Sequence, residues 1–381
     1  MEMKTPAGRI LERGPNKADL LTQGFSLGRR KHITMKKIII STALFCMAAF
    51  ANAQDLNFSQ FYELPLLRNP ALAGVFDGDV RVQSVYRNQW QSVTVPYKTG
   101  GISGELKFPV ANTYDHFTVG LQATYDVAGD SRLSRLQVLP VLSYHYNLNG
   151  EGGAYLSAAF MGGVVTSQFD PTRLKWDDQF VNGQYSATNP TRQVLNRTGK
   201  NYMDLSAGLS LTSPFGENIS FYVGAGLFHL NRPKVGFEIA TDSVSKLNPK
   251  LAFNGGITFQ TTDYSRISIY ADYFSQSDKF FSGGHQQLMA GFFYTYDVEQ
   301  YSDETDKTAI SFGSLYRWND AFIPVMRLDH HQFSIGLSYD VNVSKLKTAS
   351  QARGGFELTL NYKSFISSRA MGAYKMKCPG F

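Results

Sequence analysis

The sequence contains very little cysteine, since Cys46 and Cys378 are the only two in 381 residues. Cys46 falls in an apolar segment that we predict to be removed on export, and the single remaining thiol excludes an internal disulfide bond. Outside that segment no continuous apolar run approaches about 18 residues, which excludes a transmembrane helix. Beyond residue 53 no helical period is as regular as the alternation typical of strands.

Residues 35–53 have the pattern of a secretory signal peptide. A basic pair precedes the apolar stretch 38–50, and Ala51-Asn52-Ala53 is typical of a cleavage site. Residues 1–34 are polar and basic without a hydrophobic period, and we interpret them as an extension upstream of the natural start at Met35. We therefore expect an exported protein.

Net charge is also lacking once this leader is set aside. Nine of the 37 Lys and Arg residues and three of the 31 Asp and Glu residues lie in residues 1–53, which leaves 28 of each sign. The formal net charge of +6 therefore belongs to the leader. It gives no support for nucleic-acid binding, and no nucleic acid is expected as a partner.

What the sequence does contain is a repeated alternation of apolar and polar residues. Aromatic residues make up 14% of the chain, and from Phe333 to Val343 every second side chain is apolar. In an exported chain this pattern predicts an all-β fold, a transmembrane antiparallel β-barrel in the outer membrane of a Gram-negative bacterium. A secreted β-sandwich is the alternative, but it does not need such long strands with one apolar face.

We predict about fourteen strands, and the even number leaves both termini in the periplasm. All the long connections, such as 167–200 and 231–249, fall on one side, as in barrels with long surface loops. Pro140 interrupts the fourth strand, where we predict a bulge. The strands are predicted to begin near Gly78, Tyr97, Asp115, Leu133, Gly153, Asn201, Asn218, Lys250, Ser265, Gly284, Thr308, Ala321, His331 and Gly355.

Residues 54–77 are too apolar for a free periplasmic tail. The Asn69-Pro70 pair favours a fixed turn, because proline sets its own φ and biases Asn69 away from helix. We predict that this segment folds into the barrel mouth as a hatch, and an irregular lead-in against the periplasmic rim is the alternative. The predicted parts are thus the extension (1–34), the signal peptide (35–53), the hatch (54–77), the barrel (78–363) and a periplasmic tail (364–381).

The lumen-facing positions of the predicted strands carry charges of both signs, together with His145. We expect these charges to pair with one another or with a plug, rather than to form an ion-selective pore, and His145 to be a hydrogen-bonded lumen residue. The charged residues are Arg81, Arg87, Glu105, Lys107, Arg266, Asp272, Asp340, Glu357 and Lys363.

No motif predicts catalysis, because H-E-x-x-H, G-x-S-x-G and phosphate-binding glycine loops are all missing. His330 and His331 are adjacent, and neighbours in a strand point to opposite faces, which disfavours a shared metal ion. We interpret them as part of a polar turn. We therefore predict a protein that is not an enzyme and that has no catalytic residues, metal or cofactor.

The stretch NFSQFYELPLLRNPALAG (57–74), followed by YRNQW (86–90), resembles the opening of PorP/SprF-type membrane proteins. SFGSLYR (311–317), IGLSYDVNVSKL (335–346) and the ending KMKCPGF (375–381) are also similar to the family. The resemblance covers essentially the whole chain beyond the leader.

The resemblance implies an outer-membrane component of the type IX secretion and gliding motility system of Bacteroidota. Family members are associated with secretion or surface anchoring of cargo such as large adhesins, and with periplasmic motor and peptidoglycan-linked components. We therefore expect an adhesin-like surface protein, secretion or gliding components and outer-membrane lipid as partners. The hatch is also similar to that of the fatty-acid channel fold, so a hatch-gated channel for a small hydrophobic solute is the alternative function.

Binding of these partners is predicted on both sides of the membrane. The outer loop 167–200 is long and aromatic, and such loops are often functional, although it could instead fold back over the barrel mouth. Inside, we expect docking through residues 54–77 and 364–381. The predicted binding residues are Asn69, Pro70, Ala71 and Gly74 in the hatch, Tyr86, Arg87, Asn88, Gln89 and Trp90 in the first strand, and Trp176, Asp177, Asp178, Phe180 and Tyr185 in the outer loop.

Overall fold

Fourteen long antiparallel strands close into a barrel in which each strand pairs with its neighbour along the chain, and the last pairs with the first. The computed structural model describes residues 56–89, 95–150, 153–193, 197–237, 245–278, 284–299, 308–344 and 353–366. The predicted barrel is confirmed, and every predicted strand start lies within two residues of the observed one. The predicted signal peptide, Trp90 and most of the tail lie outside the described residues.

The strands are numbered along the chain, and β6 and β7 form a separate short hairpin in the longest loop. Their bounds are β1 (Val80–Gln89), β2 (Tyr97–Pro109), β3 (His116–Ala128), β4 (Leu133–Asn147), β5 (Tyr155–Gln168), β6 (Phe180–Val181), β7 (Gln184–Tyr185), β8 (Gly199–Phe215), β9 (Ile219–Phe228), β10 (Lys250–Thr262), β11 (Ser265–Gln276), β12 (His285–Glu299), β13 (Thr308–Arg317), β14 (Ala321–His330), β15 (Phe333–Asn342) and β16 (Arg353–Ser364).

The wall of the barrel is apolar outside and polar inside, the reverse of a water-soluble protein. Leu142 and Leu209 are 57% and 58% exposed, whereas the next residues, Ser143 and Ser210, are at most 2% exposed. Since a strand directs successive side chains to opposite faces, this alternation suits a sheet between lipid and a filled lumen. Closure leaves no unpaired sheet edge, which a membrane requires.

Aromatic side chains face outward near both ends of the strands, where they suit the two interfaces of a bilayer. Phe108 and Phe117 stack at 5.0 Å near one end, and Tyr316 packs edge-on against Trp318 at 5.9 Å near the other. Others that are more than a third exposed are Tyr86, Tyr97, Tyr144, Tyr146, Phe215, Tyr264, Tyr296, Phe322, Phe333 and Phe356.

The connections separate by length, as predicted. Residues 110–115, 216–218 and 331–332 form short turns at one end, and the long loops 169–198 and 229–249 lie at the other. Val80 and Ser364 are paired with each other at the short-turn end. In outer-membrane barrels the short turns face the periplasm.

The predicted bulge at Pro140 is wrong. Leu121 lies opposite Pro140 in β3, and the register between β4 and β5 is the same before and after it. Proline removes one N–H from the ladder without an inserted residue, because β5 has Gly162 and Gly163 there. The backbones approach so closely that a Cβ on Gly163 would lie 2.1 Å from the Val138 carbonyl oxygen.

The segment before β1 lies inside the barrel, and we call residues 56–77 the hatch. It contains the 3₁₀ helices Phe61–Glu63, Pro65–Leu67 and Pro70–Leu72, two of which start with a proline whose missing N–H is not needed there. Every residue from 58 to 76 except Leu67 is buried. Two further 3₁₀ helices, Pro171–Arg173 and Asp177–Gln179, belong to the outer loop.

None of the helices among the described residues has the length and apolar character to cross a membrane.

Candidate functional site

The hatch turns at Asn69 against a part of the wall that lacks side chains. The Asn69 side chain accepts a hydrogen bond from the Ala71 N–H and donates one to the Leu209 carbonyl oxygen, both at 2.9 Å. A Cβ on Gly208 would lie 1.9 Å from Asn69 Oδ1, and one on Gly224 would lie 2.6 Å from Nδ2. The turn fits because β8 and β9 have glycine at these positions.

Gly74 ends the buried course of the hatch in a conformation that other residues rarely adopt, with φ at +81°. Its N–H donates a hydrogen bond to the Glu105 carboxylate at 2.8 Å. A Cβ here would lie 2.1 Å from Thr118 Oγ1 and 2.7 Å from His145 Nε2. Both the backbone and the space therefore require glycine.

Arg68 fastens the hatch to β11 through a two-point ion pair. Its Nε and Nη2 atoms lie 2.6 and 2.5 Å from the two Asp272 oxygens, and Nη2 donates to the Tyr222 hydroxyl at 2.6 Å. Both charged side chains are at most 1% exposed. Burial is the largest influence and lowers the Arg68 pKa, but the Asp272 carboxylate and the Tyr222 hydroxyl together raise the pKa above its ordinary value.

Glu63 fastens the hatch to a second part of the wall. It accepts a hydrogen bond at 2.8 Å from Arg327 of β14, whose Nε also donates to Asp329 at 2.8 Å. The amide groups of Gln83 and Asn361 lie 3.5 Å from Glu63 Oε2. One hatch carboxylate thus joins β1, β14 and β16.

The Glu357 side chain binds backbone N–H groups in the first turn of the hatch. The two carboxylate oxygens accept hydrogen bonds from the N–H groups of Ser59 at 2.6 Å and Gln60 at 2.8 Å. Arg87 lies 3.2 Å from Glu357 and 2.9 Å from Asp340, so the carboxylates are neutralised within the wall. Charge-assisted bonds of this kind are stronger than neutral ones.

At the short-turn end, two cations of the wall enclose Phe76. Arg81 lies 2.8 Å from Glu105, and Lys107 donates a hydrogen bond to the Phe76 carbonyl oxygen. The Arg81 and Lys107 charges also lie 4.4 and 4.2 Å from the centre of the Phe76 ring. Cations over an aromatic face are attracted to it, so this end of the hatch is fixed as well.

These contacts confirm that the lumen charges pair with one another or with a plug. Arg266 pairs with Asp297 at 2.9 Å. Lys363 differs, since it forms no ion pair in the part of the chain that the structure describes. The hatch charges Glu63 and Arg68 were not predicted as partners, although charges in the middle of a segment this apolar were a signal that could have found them.

The apolar side chains of the hatch pack on apolar positions of the lumen. The Tyr62 ring stacks on Tyr270 at 5.9 Å and meets Phe293 edge-on at 5.0 Å. Burial raises the Tyr62 pKa well above its ordinary value, so the hydroxyl stays protonated. Phe58 packs near Val85 in a second small cluster.

His145 is a hydrogen-bonded lumen residue, as predicted. Its Nδ1 lies 2.6 Å from Ser157 Oγ and its Nε2 lies 3.3 Å from Thr118 Oγ1. The His116 ring stacks on it at 4.2 Å with an interplanar angle of 10°. The two stacked histidines thus belong to the part of the wall that faces Gly74.

His330 and His331 lie in a polar turn, but the expectation that they point to opposite faces is wrong. His331 has φ at +54° and therefore leaves the strand geometry, which brings the two rings to 4.1 Å. His330 Nδ1 lies 3.0 Å from Thr308 Oγ1. No group of three metal-ligating side chains occurs among the described residues.

The long outer loop is folded upon itself. The Asp178 carboxylate accepts hydrogen bonds from the Arg192 N–H at 2.6 Å and from the Thr191 hydroxyl at 3.2 Å. Phe180 and Tyr185 pair across the β6–β7 hairpin at 5.8 Å and remain 46% and 38% exposed. Asp177 is also exposed, whereas Trp176 and Asp178 are half-buried.

Residues 50–362 match the family model of the type IX secretion system membrane protein PorP/SprF. The chain belongs to this family. Together with the barrel, this assigns it to the outer membrane as a component of type IX secretion. No curated protein matches the chain.

Several solved barrels have a fold similar to that of this PorP/SprF-family protein. The toluene transporter TbuX of Ralstonia pickettii has 12% identity and a TM-score of 0.46, over 80% of this chain and 94% of that one. A Pseudomonas aeruginosa FadL homologue has 10% identity and a TM-score of 0.39, over 79% and 94%. The CymD monoaromatic hydrocarbon channel has 11% identity and a TM-score of 0.41, over 80% and 93%.

The predicted binding residues of the PorP/SprF-family protein do not form one site. Those of β1 are divided by strand alternation, since Tyr86 faces outward against Phe356 while Arg87 faces the lumen. Asn88 and Gln89 are half-buried at the outer end of β1. The outer loop residues form a separate surface.

Asn69, Pro70, Ala71 and Gly74 are all buried in the lumen. Asn69 and Gly74 bind the wall as described above, and the Ala71 carbonyl oxygen accepts a hydrogen bond from the Ser210 hydroxyl at 3.0 Å. A partner could bind them only after the hatch had left the lumen, and such a role remains a prediction. Docking through residues 54–77 also stays a prediction: residues 58–76 other than Leu67 are buried in the lumen, whereas Asp77 is exposed and Leu56 and Asn57 are half-buried.

Proposed function

We propose that this PorP/SprF-family protein holds a secreted, adhesin-like surface protein on its outer loops and contacts secretion or gliding components at its periplasmic face. The observation that carries the proposal is the occupied lumen. The hatch is joined to β11 by Arg68, to β14 by Glu63 and to β16 by the N–H groups of residues 59 and 60. Because the hatch fills the lumen, we expect partners to bind at the two ends of the barrel.

Energetics favour a hatch that stays in place. Each charge of a buried ion pair has lost its water and is compensated mainly by its partner. Withdrawal of the hatch would break Arg68–Asp272 and Glu63–Arg327 together. A secreted chain is therefore expected to meet the outer loops rather than the lumen of this barrel.

The outer end has the features of a protein-binding surface. Exposed aromatic side chains are frequent anchors of protein interfaces, and here Phe180 and Tyr185 stand on a loop held by internal hydrogen bonds. At the periplasmic end we expect the short turns, together with the tail predicted from the sequence, to contact secretion, gliding or peptidoglycan-linked components.

A hatch-gated channel for a small hydrophobic solute is the second candidate. A cavity of about 10 Å³ lies beside the hatch and is lined by Phe58, Phe61, Leu64, Phe274 and Met289 among others. That volume is near the lower limit for one water molecule, so a solute would have to displace the hatch. The apolar lining is the observation in favour of this candidate.

Site-specific photo-cross-linking in living cells distinguishes the two functions. A photoreactive amino acid replaces Phe180 or Tyr185 at the outer end, and Asp263 in a short turn serves as the matched periplasmic position. We expect one large secreted protein to be captured from the outer positions and secretion components from position 263. Absence of outer adducts, together with solute uptake that rises in an Asp272→Asn variant, would replace the docking function with the channel.

A further inference from the structure

The outer loops line a cleft of about 410 Å³. Its walls come from three connections: Val95 before β2, the turn between β3 and β4, and residues 172–175 with Tyr185 of the long loop. The Asp170 N–H donates to the Ser131 carbonyl oxygen at 2.8 Å, which ties the loop to that turn. A cleft of this volume is within the range of binding pockets.

The charges in the cleft are mostly positive. Arg132, Arg173 and Lys175 line it, against the single acid Asp130. Arg173 is partly neutralised by Asp170 at 3.1 Å, but Arg132 and Lys175 form no ion pair among the described residues. Two cations on folded loops without carboxylate partners provide binding energy for an anion.

The cleft also has an apolar side. The Lys175 Nζ atom lies 4.9 Å from the centre of the Tyr185 ring, so the charge and the aromatic face are adjacent. Leu174 and Val95 add aliphatic surface, and Val95 is 45% exposed. A ligand that used the whole lining would carry both carboxylates and apolar side chains.

We propose that this cleft binds an acidic segment of a secreted polypeptide, with carboxylates on Arg132 and Lys175 and an apolar side chain against Tyr185 and Leu174. The cleft holds a few side chains of such a segment. Rim charges of this kind act mainly on association rate and on salt dependence. This inference rests on the proposed function, because it names the part of the outer surface that the surface protein contacts.

A lipid phosphate is the other anion at this height of an outer-membrane barrel. The cleft is built by loops beyond the ends of the strands rather than by the lipid-facing wall. A phosphate group would satisfy the cations and leave the Tyr185 and Leu174 surface unused. The mixed lining therefore favours a peptide.

The test uses the purified full chain in detergent and three defined probes. The first is a fluorescent peptide of about ten residues in which Asp and Glu alternate with Leu and Tyr, since an amphipathic acidic strand matches the lining. The second is the same peptide with Lys in place of the acids, and the third is a vesicle that contains lipid A. Binding is measured by fluorescence anisotropy, or by flotation for the vesicle, at low and high salt.

The variant carries Arg132→Glu and Lys175→Glu, and Arg192→Glu in the same loop is the matched control outside the cleft. We expect the acidic peptide alone to bind, with an affinity that falls with salt and drops at least about tenfold in the double variant but not in the control. Equal binding by the double variant overturns the proposal. So does charge-dependent binding of the lipid A vesicle without binding of the acidic peptide.

The cleft as a peptide-binding site and the docking function can each be disproved independently of the other. If photo-cross-links to a surface protein persist in the Arg132→Glu, Lys175→Glu variant inside cells, the cleft is not the contact and the docking function stands. If the acidic peptide binds purified protein but no surface protein is captured in cells, the cleft is a binding site and the docking function fails. Heat-modifiable migration on gels shows that each variant is folded.

Discussion

At the scale of single residues, the hatch depends on side chains that are missing from the wall. The residue types in the lumen were predictable, because alternation by itself assigns Arg87 or Asp272 to the inner face. The glycines opposite Asn69 were not, since a glycine in a strand pattern does not reveal which segment approaches it. Gly208 and Gly224 are both far from Asn69 along the chain, so no local pattern connects them.

We expect Gly208→Ala to loosen the hatch. The new Cβ would lie 1.9 Å from Asn69 Oδ1, so either the turn or β8 has to shift, at a cost of about 1–3 kcal/mol. The measurement is the urea midpoint of the barrel in lipid vesicles. Gly104→Ala is the control, because no atom lies within 4 Å of its Cβ. Equal midpoints for the two variants would mean that Asn69 does not sit in this niche.

We expect Asp272→Asn to destabilise the barrel by about 3–5 kcal/mol, because Arg68 stays buried without its carboxylate. A double variant, Arg68→Met with Asp272→Leu, removes both charges and is expected to be less destabilised than the single variant. Urea unfolding of the three proteins measures the difference. If the double variant is the weaker one, the ion pair itself, rather than an orphaned charge, supplies the stability.

At the scale of secondary-structure elements, the strands were the predictable part. Because one face of each strand meets lipid and the other meets a filled lumen, apolar and polar residues alternate with a period of two. The pattern from Phe333 to Val343 therefore predicted a barrel strand. Pro140 was misjudged because its tolerance depends on Gly162 and Gly163 of the neighbouring strand, which sequence order alone does not align. The course of the hatch depends likewise on contacts with separate strands around the barrel, among them β2, β8, β9, β11, β14 and β16.

The close approach of β4 and β5 at Pro140 and Gly163 leads to a prediction about strand pairing. Gly163→Ala places a Cβ 2.1 Å from the Val138 carbonyl oxygen, which is backbone and cannot rotate away, so we expect fewer molecules to reach the folded barrel. The fraction of heat-modifiable protein on a gel measures this yield. Gly162→Ala is the neighbouring control, because its nearest atom at 2.6 Å is the flexible end of Leu205. A lower yield for Gly162→Ala than for Gly163→Ala would contradict the account of Pro140.

At the scale of the whole molecule, the fold follows from composition and alternation, whereas the function does not. Barrels with similar walls transport solutes or hold proteins, and alternation cannot separate these roles. The family was identified from particular stretches such as residues 57–74. From the contacts of the hatch we infer that partners bind at the ends of the barrel rather than in its lumen.

The orientation of those two ends is the remaining expectation, because outer loops can hold a surface protein only if they face the medium. Long loops of barrels lie outside and short turns in the periplasm, so Asn182 in the β6–β7 hairpin should be external and Asp263 internal. In a Cys378→Ser background, we expect Asn182→Cys to react with a membrane-impermeant maleimide on intact cells. Asp263→Cys should react only after the outer membrane is opened. The reverse pattern would invert the barrel and place the basic cleft in the periplasm, which would rule out a secreted surface protein as the partner of that face.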